Sequence, residues 1–225
     1  MANLKAKQYL VNSKNQILQH LKQVVKTHRF NYRTFGTEIE EHVTDKLIEV
    51  FTKASFIKDE SDYKIAENKN VFPDFILNST PPLAIDIKSG NHSKKSRGRW
   101  TVCKNSNNDM GTLNMWEKKL KEFGGENIFY LFIEYSFNDQ KKEVLDIKIA
   151  PFYKFIGLRK EGVLKYREKD GNLRPKGFAE PSPISSFSQF KQLFSKTVVF
   201  RSKRLVKKHL REIPKEERKQ VLEGF

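Results

Sequence analysis

Residues 71–88 read VFPDFILNSTPPLAIDIK, and this stretch decides the fold. Asp74–Asn78 (DFILN) and Leu83–Lys88 (LAIDIK) each alternate with period two, and Asn-Ser-Thr-Pro-Pro between them is a run of turn formers. The pattern predicts a β-hairpin with apolar flanks on both strands. Residues i and i+2 of a strand share a face, so Asp86 and Lys88 point to one side while Ile87 points into the core. Asp74, on the partner strand, can bring its carboxylate to that of Asp86.

Around the hairpin the chain is strongly basic. Its 225 residues hold 43 Lys+Arg against 27 Asp+Glu, a formal net charge of +16. The surplus is concentrated. No carboxylate occurs up to Thr37, while Lys5, Lys7, Lys14, Lys22, Lys26, Arg29 and Arg33 do. The segment from Ile87 to Asn108 is again free of acids and holds Lys88, Lys94, Lys95, Arg97, Arg99 and Lys104. Arg201, Lys203, Arg204, Lys207, Lys208 and Arg211 form a third basic stretch. Three such stretches converging on one face would neutralise several phosphates; the plain alternative is that each is a solvated helix face or loop. With 37% hydrophobic residues, 18 of them Phe, the chain can build a core. Cys103 is the one cysteine, which excludes an intrachain disulfide or a Cys-cluster zinc site. No apolar run approaches the ~20 residues of a membrane span, and the N-terminus lacks a signal-peptide core. The expectation is a cytoplasmic protein with a polyanionic partner and no membrane.

Along the chain, residues 3–27 read as one long amphipathic helix, followed by a helix to about Ala54 with Thr37 as N-cap and Glu40 at a capping-box spacing. Residues 89–111 read as a long polar loop, 112–123 as a short helix, and Phe129–Tyr135 lies in a buried strand continued by a further strand after Asn138–Lys141. A helix near 187–195, a basic helix over 201–212 and a short one after Pro214 complete the reading. The fold class expected is α/β (α+β), a central mixed sheet flanked by helices, as one domain over 1–225. Its core spans about 36–150, and the N-terminal helix and the helical region 187–225 are additions for DNA binding or dimerisation.

Two carboxylates and a backbone carbonyl make a hard-oxygen site suited to Mg²⁺, which takes its remaining ligands from water and phosphate. Asp74, Asp86 and the Ile87 carbonyl supply that set. Lys88 then lies beside the attacking water and the scissile phosphate, to stabilise developing charge or to help deprotonate the water. The plain alternative is an ordinary hairpin displaying an Asp–Lys pair. Glu40 is a further acid available near the site, or a helix-capping Glu. Asn105, Asn107, Asn108, Thr112 and Asn114 can read base edges, and Lys94, Lys95, Arg97, Arg99 and Lys104 suit phosphate or guanine contacts. His92 and His209 sit among basic residues, and Trp116 has core spacing while Trp100 does not.

Gly36-Thr-Glu-Ile-Glu40, Phe72-Pro73-Asp74-Phe75 and Ala84-Ile85-Asp86-Ile87-Lys88 together resemble the three-part signature of the PD-(D/E)XK nucleases, and in size and layout their type II restriction endonucleases of the EcoRV/SwaI-like branch. The resemblance implies a restriction-endonuclease-like core with Asp74 and Asp86 as metal ligands, Lys88 as the catalytic lysine and Glu40 as the helix acid. It also implies Mg²⁺, with Mn²⁺ as a substitute, and a homodimer cutting double-stranded DNA at a palindromic site. The products would be 5′-phosphate ends, blunt as in the look-alikes, with a cognate DNA methyltransferase protecting the host. A junction resolvase, a repair nickase and a non-catalytic DNA-binding module are the rival readings.

Overall fold

The computed structural model describes residues 2–31, 33–68, 71–102, 109–139, 141–177 and 182–218, the side chains of Ala2 and of 94–96 excepted. Helices α1 (Ala2–Asn12), α2 (Lys14–Thr27) and α3 (Phe35–Lys53) precede strands β1 (Tyr63–Ile65), β2 (Phe75–Leu77), β3 (Leu83–Asn91), β4 (Ser93–Ser96) and β5 (Arg99–Val102). Helix α4 (Leu113–Phe123), strands β6 (Ile128–Phe137) and β7 (Lys142–Pro151) and helix α5 (Phe187–Glu212) follow.

Five strands form one mixed sheet in the order β1–β2–β3–β6–β7. The hairpin read from residues 71–88 is present, with Phe75 opposite Ile85 and Leu77 opposite Leu83. β3 pairs in parallel with β6, Asp86 opposite Tyr130 and Lys88 opposite Phe132, and β6 pairs antiparallel with β7. Leu83–Ile87 and Ile128–Tyr135 are buried without interruption, as strands covered on both faces must be. Ile85, Ile87, Leu131 and Ile133 face Leu21, Phe35, Val43 and Leu47 of the first three helices. Ala84, Tyr130 and Phe132 face Trp116, Phe152, Ile156 and Phe190 in the other layer. The N-terminal helices thus pack on one face of the sheet, and α5, through Phe190 and Phe194, on the other.

Four elements differ from the sequence expectation. The helix expected over 3–27 breaks at Ser13, whose N–H and hydroxyl both donate to the Tyr9 carbonyl at 2.9 Å, a bonding pattern that bends helices. α3 starts at Phe35 because that ring is fully buried against Phe30, Tyr135 and Phe137 at 4.9, 4.5 and 5.0 Å. Thr37 and Glu40 thus lie inside the helix and form no capping box. The loop expected over 89–111 is in part sheet: β3 runs on to Asn91, and β4 and β5 make a hairpin. Arg97 (φ +49°) and Gly98 (φ +79°) at its tip both have the positive φ of a type I′ turn. The two helices expected over 187–195 and 201–212 are one, α5. Fully buried Thr197 ties its middle down, donating to the Leu193 carbonyl and accepting the Leu164 N–H. The helix expected after Pro214 lies largely outside the described residues. Among the described residues, no helix is long and apolar enough to cross a membrane.

Gly125 marks where α5 docks: a Cβ there would come within 1.9 Å of the Phe187 ring, which Phe152, Tyr153 and Phe190 hold in place. Gly125→Ala should destabilise the fold by about 1–3 kcal/mol through overpacking, read as a fall in Tm of a few degrees; an unchanged Tm would show the ring free to move.

Candidate active site

The hairpin brings the expected carboxylates together. Asp74 directly precedes β2, and its Oδ2 accepts the Ile87 N–H at 2.5 Å, so the backbone of β3 fixes its orientation. The Asp86 carboxylate is close enough for its charge to act on Asp74. Asp86 is only 3% exposed. Lys88 Nζ lies 2.8 Å from Asp86 Oδ2, 3.0 Å from the Ile87 carbonyl oxygen and 3.9 Å from Asp74 Oδ2. The ammonium thus sits within reach of all three oxygen donors assigned to a metal from the sequence. Burial works to lower the Lys88 pKa, but Asp86 and then Asp74 outweigh it and the pKa is raised. Asp74 is raised to about 6 by burial and by the Asp86 charge.

Glu40 reaches the same place from α3. It hydrogen-bonds Ser89, and its carboxyl is raised to about 7, chiefly by burial and against the pull of Lys88. Gly36, one helical turn earlier, permits this approach: a Cβ there would meet Ser89 Oγ at 2.7 Å. A cleft of about 230 Å³ opens beside the site, with Glu40, Glu41, Glu67, Asn68 and Asp74 in its lining. Among the described residues no three acidic, His or Cys side chains close around an ion by themselves. Two carboxylate oxygens plus one carbonyl still match what Mg²⁺ asks of a protein, since it retains waters and accepts phosphate ligands. The donor set also already accommodates one cation, the Lys88 ammonium.

No family model and no curated protein matches this chain. Among solved structures, the NlaIV restriction endonuclease superposes with a TM-score of 0.53 at 15% identity, over 82% of this chain and 78% of that one. The fold is restriction-endonuclease-like. Within it, the strand carrying Asp86 and Lys88 is the middle one of the five-stranded sheet.

The restriction-endonuclease-like core carries the other expected site residues as follows. Lys94 and Lys95 lie on β4, opposite Thr101 and Trp100. Arg97 and Arg99 are exposed at the tip of the β4–β5 ribbon. That ribbon is fastened to the end of β6 by Ser93 Oγ to Ser136 Oγ at 2.7 Å, by the His92 N–H to the Tyr135 carbonyl at 2.7 Å, and by Trp100 Nε1 to Asp139 at 2.8 Å. Thr112 is the N-cap of α4, its hydroxyl accepting the Met115 N–H, and Asn114 is exposed in the first turn. Lys104, Asn105, Asn107 and Asn108 lie outside the described residues, as does Cys103. Trp116 is core, stacked on Phe152 at 4.1 Å. His209 is a surface residue beside Glu212.

Three polar groups on the Asp86 face were not expected. Tyr130 stands opposite Asp86 on β6, and its hydroxyl donates to the Met110 carbonyl at 3.1 Å. Glu134, 5% exposed, pairs with Lys148 and with His92 Nε2, the latter at 3.2 Å. Lys119 is 7% exposed on α4. A sequence signal existed for two of them: Glu134 is the one carboxylate inside IFYLFIEY, and Lys119 falls on the apolar stripe of Trp116, Leu120 and Phe123.

Raised carboxyls make a prediction about pH. A carboxyl whose pKa rises on folding binds more protons in the folded than in the unfolded chain, so stability falls as pH rises through the interval between the two values. For Glu40 that interval runs from 4.5 to about 7, and for Asp74 from 3.8 to about 6. In metal-free buffer, Glu40→Gln should therefore melt several degrees above the unsubstituted protein near pH ~8, with the difference closing toward pH ~4.5. A pH-independent difference in Tm would mean that Glu40 is not held as a buried charge.

Proposed function

We propose that the chain is a Mg²⁺-dependent endonuclease of the type II restriction kind, similar to the EcoRV/SwaI-like branch, hydrolysing phosphodiester bonds of double-stranded DNA at a specific palindromic site. The observation that carries this reading is the Lys88 ammonium within reach of Asp86, Asp74 and the Ile87 carbonyl, on the central strand of a restriction-endonuclease-like sheet. Asp74, Asp86 and the Ile87 carbonyl would hold Mg²⁺ or, in its place, Mn²⁺. The ion supplies Lewis acidity at the phosphodiester when bound. Lys88 faces the phosphate and stabilises charge that develops on it; Glu40 adds a carboxylate from the α3 side. Water attacks phosphorus, the P–O3′ bond breaks, and the products are a 5′-phosphate and a 3′-hydroxyl.

The β4–β5 ribbon supports the recognition part of the reading. A two-stranded ribbon is of a size to enter a DNA groove, and this one presents Arg97 and Arg99 at a tip that follows directly on β3, the strand of Asp86 and Lys88. Two chains related by a two-fold axis would address one DNA strand each, matching a palindrome. Such an enzyme works in the cytoplasm beside a methyltransferase of the same specificity, as a single domain over 1–225.

Digestion of a long duplex of known sequence tests the proposal. Discrete Mg²⁺-dependent fragments are expected; cutting at junctions alone would instead indicate a resolvase, and intact DNA in every metal a binding module. Asp86→Asn and Lys88→Ala should each lower the cleavage rate by roughly 10²-fold or more while circular dichroism shows the fold retained. Mg²⁺ should raise the Tm of the unsubstituted protein and not that of Asp86→Asn.

A further inference from the structure

Lys119 has no structural explanation of the usual kind. It occupies a position on the apolar stripe of α4, is 7% exposed, and among the described residues makes no hydrogen bond and has no carboxylate within ion-pair distance. What it does have is two aromatic faces: its Nζ lies 3.5 Å from the centre of the Phe72 ring and 4.9 Å from that of Trp116. Gly111 leaves it room, for a Cβ at that position would come within 3.2 Å of Nζ. Desolvating an ammonium is costly, and ring faces return only part of the hydration lost. A Met or Leu would fill the same stripe without that cost.

Its surroundings indicate what the charge is for. Phe72 leads directly into Pro73-Asp74, so Lys119 lies beside the turn that carries one of the two paired carboxylates. Asp86 and Asp74 act on it through space from one side, and Lys88 opposes them. Burial lowers its pKa to about 8, which leaves the ammonium mostly charged at neutral pH. The site thus has two cationic side chains. Lys88 is satisfied by the carboxylates and the carbonyl, whereas Lys119 has a charge to spare.

We propose that Lys119 is a phosphate-binding residue, which completes its coordination with a non-bridging oxygen of a DNA backbone phosphate lying against Asp74 and Asp86. The inference rests on the nuclease reading for the identity of the phosphate. A buried cation held ready on aromatic rings loses little further hydration when the oxyanion arrives, so the contact is strong and depends on charge. Arg, which keeps the charge, should preserve it in part; Met, which keeps the length, should not.

The test uses Lys119→Met and Lys119→Arg in the full chain, with three measurements. In metal-free binding of a duplex over roughly 50–200 mM salt, Lys119→Met should reduce the slope of log K against log salt by about one, and Lys119→Arg should restore it. In single-turnover cleavage with Mg²⁺, Lys119→Met should be slower by about 10-fold or more. In thermal melting, Lys119→Met should match or exceed the unsubstituted protein, because a buried unpaired charge has been removed. An unchanged slope with an unchanged rate overturns the proposal. So does an unchanged slope with a lowered Tm, which would make Lys119 a structural residue. If even the unsubstituted chain leaves DNA intact in Mg²⁺, the nuclease reading fails, while the salt slope still decides whether Lys119 binds phosphate.

Discussion

The parallel pairing of β3 with β6 is the constraint on which the site depends. It places β3 in the middle of the sheet, covers both faces of Leu83–Ile87 and leaves Asp86 only 3% exposed. An isolated carboxylate so placed would be strongly unfavourable. The period of the strand supplies the remedy, because Lys88 projects from the same face two residues on and reaches Asp86 at 2.8 Å. Ile87 between them does three things at once. Its side chain anchors the helical layer, its N–H orients Asp74, and its carbonyl accepts from Lys88. One residue of central strand thereby couples the core to both carboxylates and to the lysine.

That coupling explains why the charges do not relax into simple ion pairs. Three carboxyls meet near Lys88, which approaches only Asp86 closely; Asp74 and Glu40 are left with raised affinity for protons, each through burial first. Rigid elements hold them there: the β3 backbone holds Asp74, and α3, seated by Phe35, holds Glu40. Under the proposed function, a divalent cation would offset the repulsion among these carboxyls. The cluster also differs from the exposed Asp–Lys pair of an ordinary hairpin, which contributes only about 0–1 kcal/mol, in that its carboxyls are buried.

How much of this was legible in the sequence follows from how local each signal is. The hairpin, the sides taken by Asp86, Ile87 and Lys88, and the core role of Trp116 came from periodicity, which short-range backbone geometry enforces. The β4–β5 ribbon was read as loop because its residues are polar and basic; the Arg97-Gly98 turn was its one local mark. The start of α3 was displaced by the burial of Phe35 among rings from Phe30, Tyr135 and Phe137, a tertiary effect with no trace in the capping pattern. Lys119 and Glu134 were missed for a different reason. Each is a single charged residue in an apolar segment, a pattern that more often marks a tolerated exception than a buried group, and only their three-dimensional neighbours distinguish the two.

The net charge of +16 acts on a different length scale from the site. Some basic side chains are held within the fold: Lys14 pairs with Asp146 at 2.9 Å and Lys7 donates to Asn127 at 2.6 Å. Others are exposed, at the ribbon tip, along the outer half of α5 and at Lys5, Lys26, Arg29 and Arg33, and these govern the field beyond the surface. That field decays within about 10 Å at 0.1 M salt. Under the proposed function, it draws a duplex toward the protein from any direction and is weakened by salt. The carboxylates of the site have no such reach, since they are buried and Lys88 pairs with Asp86. Under the proposed function, attraction of the polyanion and binding of the cation would therefore be carried by separate sets of residues. Lys119 is the residue where the scales meet: a buried charge of the attracting sign, held next to the carboxylates by rings rather than by a counter-charge.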